Sequence, residues 1–228
     1  FMKIPTLIHE QNVFPGVTTK ILSHTVDVVA ISFNESKKFL KTRKRIVHTG
    51  NPIRQTIIDA NRHTARLRLE LNDNPLILVF GGSLGAEKIN TTLVEYIKKV
   101  CNDKSIQLMF GTGERHYKSV LAALNKHGID IDNYEHIRVL PYIHEMDDAM
   151  AAADIVVCRA GAITLSEITA MGKPSILIPS PNVTNNHQEY NARALEKQGA
   201  TIVLREQELN GEVLYNHIQG LLKDRRRL

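Results

Sequence analysis

The sequence predicts an α/β fold in which parallel sheets are covered by helices on both faces. Apolar segments of strand length alternate with amphipathic segments of helix length along the 228 residues, and this order is typical of parallel sheets. The strand-length segments, such as LILVF at 76–80, are apolar throughout, as expected for strands that are buried on both faces. Hydrophobic residues make up 43% of the chain, which is enough for a packed core.

Three strands with two short helices between them are predicted in the first fifty residues. The strands lie at 4–8, 26–32 and 44–49, and the helices at 16–24 and 34–41. Asn34 is the expected N-cap of the second helix, and Gly50 and Pro52 end the third strand. Because three strands are too few for a domain, we expect residues 1–53 to be the remnant of an amino-terminal domain whose beginning is missing.

A complete domain is predicted over residues 54–228. Its first, Arg-rich segment has a modest helical face made of Ile57, Ile58, Ala65, Leu67 and Leu71. Six strands follow, at 76–80, 106–110, 136–140, 154–158, 175–179 and 201–205. The helices after them lie at 87–100, 114–128, 144–153, from about 162 to 171, at 186–199 and at 210–224. Six alternating strands and helices make one doubly wound, Rossmann-like sheet.

Composition narrows the kinds of partner. The net charge of +5 suits an anionic partner, although a solvated basic surface explains it as well. Only 5% of residues are aromatic and Trp is absent, so nucleic acid is not an expected partner. Cys101 and Cys158 form no CxxC pair, which indicates reduced thiols in a cytoplasmic protein. No apolar run approaches ~18 residues, so no membrane-spanning helix is predicted.

Two glycine turns follow predicted strands, where ligands bind in open α/β sheets. In GGSLGA (81–86) the backbone N–H groups and the Ser83 hydroxyl could meet an anion at a helix N-terminus. A tight structural turn explains this segment about as well. RAGAIT (159–164) repeats the arrangement, and two such loops at one crevice would suit a diphosphate.

Glu167 follows the second of these turns. A carboxylate does not bind phosphate, so it should hold neutral donors, and the vicinal diol of a ribose suits it. The alternative is an acid that complements the helix dipole. The amide-rich segment NNHQEYNA (185–192) suits sugar hydroxyls, with helix capping by Asn185 or Asn186 as its alternative. The acids at 130–132 are interpreted as loop residues, and we expect neither a metal nor a cofactor.

Five segments, IPTLIHEQN, TGNPIR, VFGGSLGA, RAGAITLSE and NNHQEYNA, together resemble the MurG family in order and spacing. These bacterial enzymes move N-acetylglucosamine (GlcNAc) from UDP-GlcNAc to the C4 hydroxyl of MurNAc in lipid I, which gives lipid II for peptidoglycan. The resemblance covers residues 4 to about 222. It implies the GT-B fold, in which two Rossmann-like domains enclose a cleft.

The resemblance also implies roles for single residues. Glu167 would hold the ribose, Ser83 and the backbone at Ala162 and Ile163 the diphosphate, and the Ile143 backbone the uracil. The remaining implied positions are Asn12, Gln188 and Asn191 at the GlcNAc, Arg54 in the cleft, and His9 near the transfer site. The main catalytic base would belong to the missing part, with His9 as a secondary candidate. The implied partners are UDP-GlcNAc, lipid I and the anionic cytoplasmic face of the membrane.

Alternatives remain at this point. Another GT-B enzyme, such as a glycolipid glycosyltransferase or a UDP-GlcNAc 2-epimerase, would share many of these features. A donor-binding fragment that is inactive alone is a further possibility. A nicotinamide-dependent oxidoreductase could use GGSLGA, but the acid expected about twenty residues downstream is not evident. Asp103 lies near that spacing but in a predicted helix-to-strand turn.

Overall fold

The computed structural model describes residues 4–82 and 85–224. Two parallel sheets form the molecule, and this confirms the predicted α/β class. We call residues 4–53 the three-stranded unit and the described residues from 54 onward the six-stranded unit.

The three-stranded unit contains a parallel sheet with strand order β1-β2-β3. The strands are β1 (Leu7–Glu10), β2 (Val28–Ile31) and β3 (Arg45–His48). Helix α1 (Val17–Leu22) joins the first two, and a 3₁₀ turn (Asn34–Phe39) joins the last two. Four buried hydrophobic residues form the core of this unit: Val26, Val29, Ile31 and Leu40.

The six-stranded unit has strand order β6-β5-β4-β7-β8-β9, and every neighbouring pair is parallel. Its strands are β4 (Leu76–Phe80), β5 (Gln107–Gly111), β6 (Ile137–Leu140), β7 (Ile155–Cys158), β8 (Ser175–Leu177) and β9 (Ile202–Val203). Its helices are α2 (Gln55–Asp59), α3 (Arg62–Arg68), α4 (Glu87–Val100), α5 (Glu114–Lys126), α6 (Met146–Ala152), α7 (Ala162–Ala170), α8 (His187–Glu196) and α9 (Gly211–Lys223). The chain builds outward from β4 in one direction and from β7 in the other.

Hydrophobic cores lie on both faces of the larger sheet. Helices α4, α5 and α9 cover one face, where Ile77 and Phe110 point. Helices α3, α6, α7 and α8 cover the other face over Leu78 and Met109. Helix α4 has the predicted limits, and the five residues of its predicted stripe are all buried. Continuous apolar strands therefore meet apolar helix faces on each side, as the sequence predicted.

Several local predictions were wrong. The first strand begins at Leu7 instead of Ile4. Asn34 is not an N-cap, because Phe33 occupies that position and the segment is a 3₁₀ turn without a side-chain cap. Ile58 and Leu67 are 56% and 66% exposed, since the single helical face that was predicted is divided between α2 and α3.

Candidate functional site

The two glycine turns lie side by side at the carboxyl edge of the larger sheet. Strands β4 and β7 are direct neighbours, with Phe80 opposite Cys158, so the segments that follow them start next to each other. The strand order reverses between these two strands, and ligands of doubly wound sheets bind at such a point. Ser83 falls outside the described residues.

Gly85 shows what the first turn requires. Its φ is +75°, and a Cβ built there would lie 2.2 Å from the carbonyl oxygen of Thr112. Any side chain would therefore collide with the backbone after β5. Close packing alone demands this glycine, whatever the turn binds.

The second turn leads into α7 without a side-chain cap. Gly161 occupies the N-cap position with an extended backbone. Ala162 is buried and Ile163 is 38% exposed at the start of the helix. The first N–H groups of an α-helix have no partner within it and favour anions. Arg159 does not reach this position, because it donates to the carbonyls of Ile178 and Pro179 and pairs with Glu206.

Glu167 lies in the second turn of α7, and the first turn contains no acidic residue. The helix dipole acts mainly within the terminal turn. The alternative explanation, that Glu167 complements the dipole of α7, is therefore not supported. Arg54 Nε and one terminal nitrogen each lie 3.3 Å from Glu167 Oε1, and the same terminal nitrogen lies 2.9 Å from Asp147 Oδ1. Arg54 thus bridges two carboxylates, and its side chain is 56% exposed.

Ile143 is almost fully buried. Its Cδ1 would lie 3.0 Å from a Cβ at Gly111, so its side chain packs against the end of β5. Only the backbone of Ile143 is therefore left for contacts with a ligand.

Cys158 is fully buried, and burial raises the pKa of its thiol, so it is not a nucleophile.

Asn191 joins the two units. Its side chain is completely buried. Its Oδ1 accepts from the backbone N–H of Val13 at 2.9 Å, and its Nδ2 donates to Asn12 Oδ1 at 3.0 Å and to the Ala160 carbonyl at 3.4 Å. Both amide hydrogens are therefore in use, and the loop after β1 is held against the turn before α7.

Gln188 lies near the start of α8, where its Oε1 accepts from the backbone N–H of Ser180 at 2.9 Å. Asn185 and Asn186 have left-handed backbones, with φ of 55° and 51°, and neither makes a side-chain cap. Asn186 occupies the N-cap position of α8, but its side chain does not cap the helix, so the predicted side-chain capping by Asn185 or Asn186 was wrong. His9 lines a cavity of about 300 Å³ together with Asn12, Asn185 and His187.

The described residues contain no group of three or more His, Cys, Asp or Glu side chains that could hold a metal ion. A search of the same residues for a helix that is long and apolar enough to span a bilayer finds none.

Comparison with known proteins gives the family. Residues 76–228 match the model of the glycosyltransferase family 28 C-terminal domain. The chain belongs to glycosyltransferase family 28. This confirms that the chain belongs to a glycosyltransferase family, as the resemblance predicted, and it speaks against the nicotinamide-dependent oxidoreductase.

Two curated relatives in this family carry the same name, UDP-N-acetylglucosamine--N-acetylmuramyl-(pentapeptide) pyrophosphoryl-undecaprenol N-acetylglucosamine transferase. The protein of Acetivibrio thermocellus is 55% identical over 228 residues, which is 100% of this chain and 60% of the relative. That of Thermoanaerobacter sp. strain X514 is 54% identical over 220 residues, which is 96% of this chain and 59% of the relative. The chain thus spans about 60% of the length of these family members.

Solved structures agree with this assignment. The crystal structure of MurG from Acinetobacter baumannii superposes with a TM-score of 0.76 and 30% identity, over 100% of this chain and 60% of that one. A putative UDP-N-acetylglucosamine 2-epimerase from Listeria monocytogenes gives 0.63 at 17% identity, over 89% of this chain and 52% of that one. At that low identity the second likeness shows the fold alone.

Two buried polar residues of this family 28 chain were missed as site residues. Glu10 is 5% exposed, and its carboxylate accepts from the backbone N–H groups of Asn12 and Gly16, both at 3.0 Å. Asn51, which lies between the Gly50 and Pro52 that were expected to end the third strand, bonds to both units through its amide. An acid at the end of a largely apolar strand was a usable signal for Glu10. The contacts of Asn51 depend on the tertiary fold and left no local signal.

Proposed function

We propose that this protein serves the inverting transfer of GlcNAc from UDP-GlcNAc to the C4 hydroxyl of MurNAc in lipid I. Family membership and relatives named for this reaction support the proposal. Residues 54–228 would form the UDP-sugar-binding domain, and residues 1–53 would belong to the acceptor-side domain. We propose that the protein works at the cytoplasmic face of the bacterial membrane, as a peripheral protein without nucleic-acid partners.

The observation that carries the proposal is the pairing of an uncapped helix with a carboxylate one turn further along it. The first N–H groups of α7 suit an anionic diphosphate, with Ser83 as a further donor. Glu167 suits the ribose diol, since its Oε2 makes no hydrogen bond within the described part of the chain. Arg54, now shared between two carboxylates, would turn towards the diphosphate when the donor binds.

The remaining contacts follow from the geometry of each residue. The Ile143 backbone would meet the uracil, and Asn12 and Gln188 the GlcNAc. The amide of Asn191 is buried and already bonded, so its role would be to hold Asn12 beside the sugar.

The reaction needs positioning and charge stabilisation more than covalent help. The acceptor hydroxyl attacks the anomeric carbon, the bond to the diphosphate breaks, and its electron pair leaves with UDP. Backbone donors at helix N-termini would stabilise the departing diphosphate without a metal. The hydroxyl proton goes to a base, for which His9 is the candidate within this chain.

Calorimetry of this chain against UDP, UDP-GlcNAc, UDP-glucose and NAD tests the donor site. We expect binding of UDP and UDP-GlcNAc in the micromolar to millimolar range, no binding of NAD, and little change when EDTA is present. Tight NAD binding without UDP binding would overturn the proposal.

Turnover is a separate question, because the chain spans about 60% of its relatives. Positioning of the acceptor requires a cleft between two domains. We therefore expect no detectable UDP release after addition of lipid-linked MurNAc-pentapeptide. Robust UDP release would show that these 228 residues supply both the acceptor-binding site and the catalytic base.

A further inference from the structure

The ring of His9 contacts two oxygens through the same nitrogen. Its Nε2 lies 3.1 Å from the Gly50 carbonyl and 2.9 Å from Ser32 Oγ. A carbonyl oxygen can only accept a hydrogen bond, so Nε2 must carry a proton.

The amide of Asn51 gives the same answer independently. Its Nδ2 lies 3.2 Å from the carbonyl oxygen of Gln11, which again can only accept. This contact fixes the amide with Oδ1 towards Ser32 Oγ, at 2.7 Å. Ser32 has one hydroxyl proton and must donate it to Asn51. The same hydroxyl can then only accept from His9.

The network continues into the helix that carries Glu167. Asn51 Nδ2 also donates to Ser166 Oγ at 3.0 Å. Ser166 in turn donates to the carbonyl of Ala162, the first residue of α7, at 3.0 Å. Hydrogen bonds therefore connect the His9 ring to the turn at the start of α7 through three side chains, those of Ser32, Asn51 and Ser166.

We propose that the neutral His9 ring carries its proton on Nε2 and presents Nδ1 as its basic nitrogen, with Ser32 and Asn51 as the positioning residues. Nδ1 makes no hydrogen bond within the described part of the chain, and His9 lines the 300 Å³ cavity. On the proposed function, Nδ1 accepts the proton of the attacking hydroxyl while the new C–O bond forms and UDP leaves with the electron pair of the broken bond. The second nitrogen of the ring stays bonded, which fixes its orientation.

His187 lines the same cavity and has the opposite arrangement. Its Nδ1 lies 2.9 Å from the Thr184 carbonyl, so its neutral ring carries the proton on Nδ1. The two histidines are thus expected to be protonated on different ring nitrogens, so the tautomer of each can be measured against that of the other.

Long-range ¹H–¹⁵N NMR of the ¹⁵N-histidine-labelled chain measures both tautomers directly. At about pH 9 ordinary imidazoles are neutral. We expect the Nε2–H form for His9, with a proton that exchanges slowly with water, and the Nδ1–H form for His187. His9→Gln and His187→Gln assign the signals.

Variants of Ser32 test the positioning role. Ser32→Ala removes one of the two oxygens that accept from His9 Nε2–H. The ratio of the Nε2–H to the Nδ1–H form should therefore fall about fivefold, and the Nε2 proton should exchange faster with water. Ser32→Thr keeps a hydroxyl and should restore both. Ser36→Ala is the control, because Ser36 is a buried serine of the same unit that donates to the Asn12 carbonyl and not to this network. His48 bonds to the Ser32 backbone and should not change.

An Nδ1–H form of His9 in the unmodified chain would overturn the inference, whether or not any variant folds. So would a signal that is identical in the unmodified chain and Ser32→Ala. None of these spectra requires a ligand. Loss of UDP binding with the expected tautomers would therefore overturn the proposed function and leave this inference standing.

Discussion

The three-stranded and six-stranded units differ in how much of their stability comes from a hydrophobic core within the unit. The larger sheet is packed on both faces by long amphipathic helices. The core cluster of the smaller unit contains four buried hydrophobic residues. Leu7, Val17 and Ile21 of the smaller unit are each more than 60% exposed. A core of this size leaves little surplus over chain entropy.

The smaller unit has a small core, but it makes further contacts at its junction with the larger unit. Asn51 and Asn191, which are both buried residues, connect it to α7 and α8 by hydrogen bonds. Phe14 and Phe39 also pack with Tyr190 of α8, with ring centroids 5.2 and 6.0 Å from the tyrosine. The comparison teaches that order at the end of β1, where His9 lies, and in the loop after it, where Asn12 lies, depends on the larger unit.

Matched core substitutions give the largest expected contrast. Ile77 and Ile31 are both fully buried, one in each unit. Ile77→Ala should lower the free energy of unfolding by ~2–5 kcal/mol and shift the main urea transition. Ile31→Ala should cost less and act on the three-stranded unit alone, because its small core can relax. Circular dichroism during urea unfolding, with hydrogen exchange by mass spectrometry, separates the two; equal losses would refute the difference.

Elements with strong local signals were predictable from sequence. Strand β4 and helix α4 have the limits that the apolar run and the helical stripe indicated. Limits set by pairing were less predictable. The first strand starts at Leu7 because its partner begins at Val28, and the register joins these two residues.

The junction could not be predicted in this way. Asn191 and Val13 are 178 positions apart, and Asn51 and Ser166 are 115 apart. No periodicity or turn chemistry links residues at such separations. Asn191 was selected through a family resemblance as a sugar contact, and only the fold reveals that its amide is buried and already bonded.

Within the larger unit, Glu167→Ala should weaken UDP binding by tenfold or more. A hydrogen bond to a charged group contributes ~1.5–3 kcal/mol, and the ribose diol would lose its acceptor. Isothermal titration calorimetry measures the loss. Glu212→Ala is the control, because Glu212 pairs with Lys99 at the exposed start of α9. Unchanged UDP affinity in Glu167→Ala would contradict the assignment.

Removing a hydrogen bond at the junction should increase local opening of the three-stranded unit without unfolding the six-stranded unit. Asn191→Ala leaves the Val13 N–H without its buried acceptor, at a cost of ~1–3 kcal/mol. We expect faster hydrogen exchange in residues 10–16. Asn90→Ala is the matched control, because Asn90 is equally buried but bonds to Thr112 within the six-stranded unit. If both variants changed exchange in residues 10–16 alike, the junction would not be the cause.

The two units also differ in charge, and this gives the smallest expected effect. Residues 1–53 contain eight Lys and Arg against three Asp and Glu, whereas residues 54–228 contain 21 of each. The net charge of +5 therefore lies in the first part, with six basic residues between positions 37 and 45, all exposed. A basic side chain near an anionic bilayer contributes ~1 kcal/mol. We expect weak, salt-sensitive binding to anionic vesicles, reduced about fivefold by Lys41→Gln and unchanged by Lys197→Gln in the larger unit. Co-sedimentation at low and high salt measures it; tight binding that survives high salt would point to a hydrophobic anchor instead of this charge.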